Sequence, residues 1–235
     1  MKNYYLLRKE SDPTIIGNMG DSSQSEIKRE LFGNVADYDY LIETLGSNNY
    51  WNVKDSLNWD NVKIDAVSVS KLARLTEILQ FSPHLINCPF LISKKLKDIF
   101  ESKNCSDINF IETKANWRGK NYQYYLIHIA PLGVEAIDIK ESIYSTGNHI
   151  KGKNIHRFNS LKEKLIFEDE NFDFEVCSVA IKGNQLKNKD IFSVPDIGLV
   201  ISEEVKDRLF ELNVEGGIIL PAFGGETNWP KVRIV

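Results

Sequence analysis

Little in these 235 residues announces chemistry. Cysteine is scarce: Cys88, Cys105 and Cys177 are odd in number, widely spaced and never in a CxxC pair, which gives no support for a zinc ribbon. They read as free, mostly buried thiols in a reducing, cytoplasmic setting. No apolar run reaches the about 18 residues of a membrane-crossing helix. The opening "MKNYYLLRKESD" has too short an apolar stretch for a signal peptide. No four Lys or Arg residues stand together, and 29 basic against 33 acidic residues leave a net charge of −4. That balance gives no general attraction for nucleic acid or anionic lipid, so neither is expected as a partner.

Catalytic signatures are missing too. There is no GxSxG elbow, no GxxxxGK[ST] phosphate loop and no GxGxxG after a strand. Gly224 and Gly225 in "FGGETNWPK" read as a tight turn. Of the four histidines, His128 lies in the apolar strand "YLIHIA" and reads as a packed, hydrogen-bonded residue. His149 and His156 share a polar stretch without the further ligands a metal needs. No cofactor, metal or catalytic residue is expected.

What is present is the composition of a folded protein. Apolar residues make up 42% and charged residues 26%, enough to bury a core without staples. "NYYLLRK" predicts an opening strand. Ser23 and Glu26 have capping-box spacing and predict a helix beyond them. "FGNVADYDYLIETLGSNNYWNV" predicts short elements joined by turns. In "SVSKLARLTEILQF", Val69, Leu72, Leu75 or Thr76, and Leu79 recur at helical spacing. The prolines of "SPHLINCPF" then suggest a boundary, with an N-terminal lobe over 1–84 and the rest over 85–235, unless the two run on as one continuous domain. Strands are expected in "NYQYYLIHIAPLGVEAIDI", around a Pro-Leu-Gly turn, and again in "EKLIFEDENFDFEVCSVAI". Strands and helices mix without regular alternation, so the fold class is α+β, mostly antiparallel sheets with a few amphipathic helices.

One layout is written twice. "PFLISKKLKDIFESKN" and "LVISEEVKDRLFELN" both run apolar pair, Ser, charged pair, apolar residue, Lys-Asp, helix and Asn, with no gap from Ser93 to Asn104 and from Ser202 to Asn213. Each serine is placed to cap a helix. Leu96, Ile99 and Phe100 form one apolar stripe, and Val205, Leu209 and Leu212 the other. Asn104 and Asn213 fall where a left-handed cap is wanted. Apolar strands follow, "INFIET" and "GIILPA". Two such helix–strand units can stack about an approximate twofold and share a core.

Two groups of residues are candidates for contact with a partner. Glu168, Asp169, Glu170, Asp173 and Glu175 form an acidic run able to steer toward a basic surface. Tyr38, Tyr40, Tyr50, Trp51 and Trp59 cluster in sequence, and of these Tyr50 and Trp51 are the candidate anchors, being residue types that hold interfaces together.

Taken as an ordered set, "PFLISKKLKDIFES", "YYLIHIAPLGVEAIDIKES" and "DIFSVPDIGLVISEEVKDRLFELNVEGGIILPAF" resemble the immunity protein 11 family of bacterial polymorphic toxin systems. The matching positions are Ser93, Asp138 with Ser142, Ser202, Lys206, Gly216 and Pro221, within about residues 80 to 223. The resemblance implies a non-enzymatic cytoplasmic antidote that binds and blocks a cognate toxin protein encoded nearby. Ser93, Asp138, Ser142, Ser202 and Gly216 then serve as caps and turns. Two other functions stay open. One is a structural or regulatory module, dimerising through the aromatic cluster. The other is a hydrolase using the acidic stretch or His128.

Overall fold

The computed structural model describes residues 3–17, 23–105, 107–148, 152–186, 188–222 and 231–235. His149 and the turn with Gly224 and Gly225 lie outside them. The chain opens with strand β1 (Tyr4–Lys9) and a one-turn helix α1 (Pro13–Ile16), capped by Asp12. Strand β2 (Ser25–Glu26) follows, then helices α2 (Val35–Leu45) and α3 (Tyr50–Val53). Short strands β3 (Ala66–Val69), β4 (Ile78–Leu79), β5 (Phe81–Ser82) and β6 (Leu91–Ser93) lead into helix α4 (Lys94–Glu101). Long strands come next: β7 (Ile108–Trp117), β8 (Lys120–Ile129) and β9 (Ile137–Asn148), then β10 (Gly152–His156). Helix α5 (Leu161–Glu170) and strands β11 (Glu175–Ile181), β12 (Ile191–Val194) and β13 (Gly198–Ser202) precede helix α6 (Glu203–Glu211). Strands β14 (Gly217–Pro221) and β15 (Lys231–Ile234) close the described chain.

Three sheets result, ordered β4-β6-β8-β7-β3-β2-β5, β12-β13-β1-β14 and β10-β9-β11-β15. Most pairs are antiparallel; β2–β5, β3–β7 and β11–β15 are parallel. The fold is α+β. The seven-stranded sheet draws strands from both sides of residue 84.

The doubled sequence is a doubled structure. In β4-β6-β8-β7, the strand before α4 and the strand after it flank β8, which runs antiparallel to both. In β12-β13-β1-β14, the strands around α6 flank β1 in the same way. Register is shared: Ser93 faces Tyr124 and Ile92 faces Tyr125, while Ser202 faces Tyr4 and Ile201 faces Tyr5. "YYLI" of β8 and "YYLL" of β1 therefore occupy matching places. Lys97 Nζ lies 5.2 Å from the Tyr125 ring centroid, and Lys206 Nζ lies 4.4 Å from that of Tyr5. Tyr124 Oη donates to the Thr76 carbonyl (2.6 Å) and Tyr4 Oη to that of Lys189 (3.1 Å).

Both helices begin as the sequence predicts. Ser93 Oγ accepts from Leu96 N and Ser202 Oγ from Val205 N, each at 3.4 Å. Leu96, Ile99 and Phe100 meet Val205 and Leu209 in one apolar layer. The helices run antiparallel: Lys95, in the first turn of α4, donates to the Leu212 carbonyl past the end of α6, and Lys103, past the end of α4, pairs with Glu204 in the first turn of α6. The link is reciprocal. Glu77 Oε2 accepts from Glu215 N (3.0 Å), and Asp190 Oδ2 accepts from Asn104 N (3.3 Å). Asn213 adopts the left-handed backbone (φ 48°). The α4 helix closes instead on right-handed Ser102.

Several local expectations give way to tertiary pairing. Residues past Ser23 form β2 rather than a capped helix, because Ser25 is held between Val69 and Phe81 and its Oγ donates to the Gln80 carbonyl (2.9 Å). The helical spacing of "SVSKLARLTEILQF" is not realised either. Val69 and Leu79 are buried in strands, but Leu72 is 78% exposed on the turn between them. Conversely, α2 is a full helix started by Asn34 Oδ1, and "LKEKLIFEDE" is helical rather than extended, with Ser160 capping Glu163 N. Strands β8 and β9 belong to different sheets, so the Pro-Leu-Gly segment joins no hairpin.

Asp138 and Ser142 hold a bulge. Strand β11 pairs Ala180 with Asp138 but Ser178 with Ile143, so β9 carries surplus residues there. Ser142 Oγ donates to the Asp138 carbonyl (2.7 Å) and accepts from Ala180 N (3.0 Å), which satisfies the backbone that the bulge frees. Gly216 (φ 91°) sits where an added Cβ would meet the Ile78 carbonyl oxygen at 2.2 Å.

Ser93→Ala and Ser202→Ala are each expected to lower stability by about 1 kcal/mol in urea denaturation. Gly216→Ala should cost more than either, since it adds a left-handed strain of about 1–3 kcal/mol to a backbone clash.

Candidate functional site

The acidic run splits over a helix end, a turn and a strand start. Glu168 takes Lys164 Nζ at 2.5 Å, neutralising a lysine that is only 8% exposed and lies over the Tyr144 and Phe174 rings. Glu175 pairs with Lys153 (2.5 Å), and Asp173 accepts from Gly147 N (2.7 Å). Asp169 and Glu170 stand exposed at the end of α5. Beneath α5, Tyr144, Phe158, Phe167 and Phe174 form an aromatic layer. Its outer face is unusual: Leu165 and Ile166 are exposed, and Phe172 just beyond it is fully so. The sequence shows the carboxylates, but the apolar surface beside them emerges only when the segment is helical.

A second feature was not foreseen. A cleft of about 1020 Å³ opens where α3, the loop 84–89, the end of β8 and the β12–β13 turn meet. His128, in β8, lines it. Its Nε2 lies 2.9 Å from Tyr50 Oη, which also accepts from Asn87 Nδ2 at 3.0 Å. Trp59 leans over the imidazole, 4.3 Å between centroids. His128 is 3% exposed, and its Nδ1 has no hydrogen-bond partner among the described residues. Burial pushes its pKa down to about 4, so the ring is neutral at pH 7. The opposite wall is fixed by Arg8, which donates to the Ile197 carbonyl (2.9 Å).

Tyr50 and Trp51 both line this cleft, in different ways. Tyr50 is buried, and burial raises its phenol pKa. Trp51 is 53% exposed and stands edge-on to Tyr50 at 5.0 Å. Tyr38, Tyr40 and Trp59 are partly buried against the N-terminal core. None of the five acidic candidates lines the cleft, so the structure leaves the two groups as separate surfaces.

Among the described residues no group of three or more His, Cys, Asp and Glu is placed to hold a metal ion, and no helix is long and apolar enough to cross a membrane. The three thiols are free. Burial raises the pKa of Cys88 and pushes Cys105 up to about 11, which keeps both protonated and poorly nucleophilic.

The buried imidazole makes stability depend on pH. Unfolded, its pKa returns to about 6.5. Between pH 6.5 and 4 the unfolded chain takes a proton that the folded chain refuses, so stability falls as pH falls. From pH 7 to 4.5 the loss from this residue is expected to be on the order of 2–3 kcal/mol. Urea denaturation of wild type and His128→Gln at both pH values should show that difference as a smaller loss in the variant, and His128 should not titrate by NMR above pH 5.

No protein of curated function matches this chain. The family model described as immunity protein family (Imm11) matches residues 76–218. That span runs from Thr76, which receives the Tyr124 hydroxyl, through both capped helices to β14, and takes in the Asp138–Ser142 bulge. The chain belongs to the Imm11 immunity protein family.

Proposed function

We propose that this protein is a cytoplasmic, non-enzymatic immunity protein that binds a cognate toxin protein, encoded by a neighbouring gene, and blocks it. The observation that carries the reading, given the family, is the outer face of α5. Leu165, Ile166 and Phe172 are exposed beside Asp169 and Glu170. Apolar side chains grouped on one solvent-facing patch and rimmed by charge are the arrangement of a partner surface. The carboxylates complement a basic toxin and would speed its capture. A stable complex needs about 1,200–2,000 Å² of buried surface, more than one helix face supplies, so flanking surface takes part.

Co-expression with the toxin from the adjacent gene tests the reading. The wild type should rescue growth and co-purify with the toxin. Ile166→Ala with Phe172→Ala should weaken binding more than about tenfold, with stability changed by no more than about 0.5 kcal/mol per site. Asp169→Asn with Glu170→Gln should lower the association rate and flatten its salt dependence. Absence of both rescue and co-purification would sink the proposal. Light scattering that returned a dimer dispersed by Trp51→Ala would favour a self-association module instead.

A further inference from the structure

The cleft beside His128 carries a more specific reading. Its rim bears four exposed carboxylates, Asp55, Asp107, Glu135 and Asp196. Against them stands one lysine among the described lining residues, Lys54, already 2.8 Å from Asp55. A concave wall lined by one sign of charge concentrates the opposite ion, so anions such as nucleotides are repelled and cations drawn in. The wall itself is aromatic. Trp51 presents an exposed ring, and among the described residues no lysine or arginine of the protein's own stacks on Trp51 or Trp59. A free indole face beside carboxylates is how proteins hold a flat cation.

Independent of charge, the wall holds the unpartnered, buried Nδ1 of His128. A buried polar atom without a partner is rare in a native fold and calls for an explanation. Because the imidazole stays neutral, it adds no repulsion toward a cation. The rim is also held in costly backbone. Asn87 (φ 58°), Asp107 (φ 23°) and Asp196 (φ 63°), half of the six positive-φ residues other than glycine among the described residues, all line the cleft.

We infer that the cleft receives an arginine side chain presented by the toxin, its guanidinium lying on Trp51 and paired with the rim carboxylates. The inference rests on the binding role proposed above. It supplies a second contact, with a different chemistry from the apolar face of α5.

The probe is N-acetyl-arginine methylamide, titrated into the full-length protein and followed by tryptophan fluorescence and ring NMR signals. Saturable binding is expected, with the uncharged citrulline analogue at least about tenfold weaker. Trp51→Ala should weaken binding about tenfold, as should the triple change Asp107→Asn, Glu135→Gln, Asp196→Asn. Asn tolerates the left-handed backbone at 107 and 196, so the triple variant should fold. The pair Asp169→Asn, Glu170→Gln should bind the probe as the wild type does. Equal binding of citrulline, or no saturable binding, overturns the inference. Co-expression separates the two readings. If wild type and both cleft variants neutralise the toxin alike, the cleft plays no part and the immunity role stands. If wild type fails to neutralise while the arginine probe still binds, the immunity role falls and the toxin is overturned as the source of the cation.

Discussion

Two antiparallel helices bury a single apolar layer, and the rest of the molecule is arranged to let them. Leu96, Ile99 and Phe100 of α4 and Val205 and Leu209 of α6 have one another and two sheets for company. In both cases the chain enters the helix from one strand and leaves it into another strand of the same sheet. In both units the strands on either side of the helix run the same way, and an opposed strand lies between them. In one unit that strand is β8; in the other it is β1. The serine caps, the Lys–Tyr contacts and the reciprocal acceptance by Glu77 and Asp190 are all consequences of repeating that solution twice.

Symmetry of this kind makes its own breakdown informative. His128 of β8 faces Asn109, and Arg8 of β1 faces Ile218, so the two occupy matching register positions in their units. One is an imidazole on a cleft wall; the other is a guanidinium tied to Ile197, a residue of the opposite wall. The cleft thus forms between non-identical members of a repeated pair. α3 adds Tyr50 and Trp51, outside the repeat altogether.

What could be read from the sequence was whatever is decided locally. Ser93 and Ser202 each cap the residues immediately after them, so pattern and structure agree. Asp138 and Ser142 were marked only by the family resemblance, because the bulge they hold is completed by Ala180, 38 residues further on. The segment from Ser23 to Leu79 was not, because its strands are only two to four residues long and owe their shape to distant partners. A helical spacing over Val69, Leu72 and Leu79 is satisfied by chance when strand, turn and strand follow so closely. For α5 the signal was present and unused: Ser160 followed by Glu163 is a start signal, and Glu163 Oε2 accepts from Asn159 N at 2.8 Å. The cleft could not be foreseen, since its walls come from five separated stretches of chain.

Strand β1 has a consequence for how the protein is made. Its two neighbours, β13 and β14, lie about two hundred residues further along, as the Tyr5–Glu203 bond between residues 198 apart illustrates. Both edges of this aromatic-rich ribbon therefore emerge from the ribosome with nothing to pair with. They must wait while about two hundred further residues are made, at about 5–20 residues per second, before their mates exist. Assembly should be slow for the size of the chain, and the waiting edge is where a chaperone would be needed or where aggregation would begin.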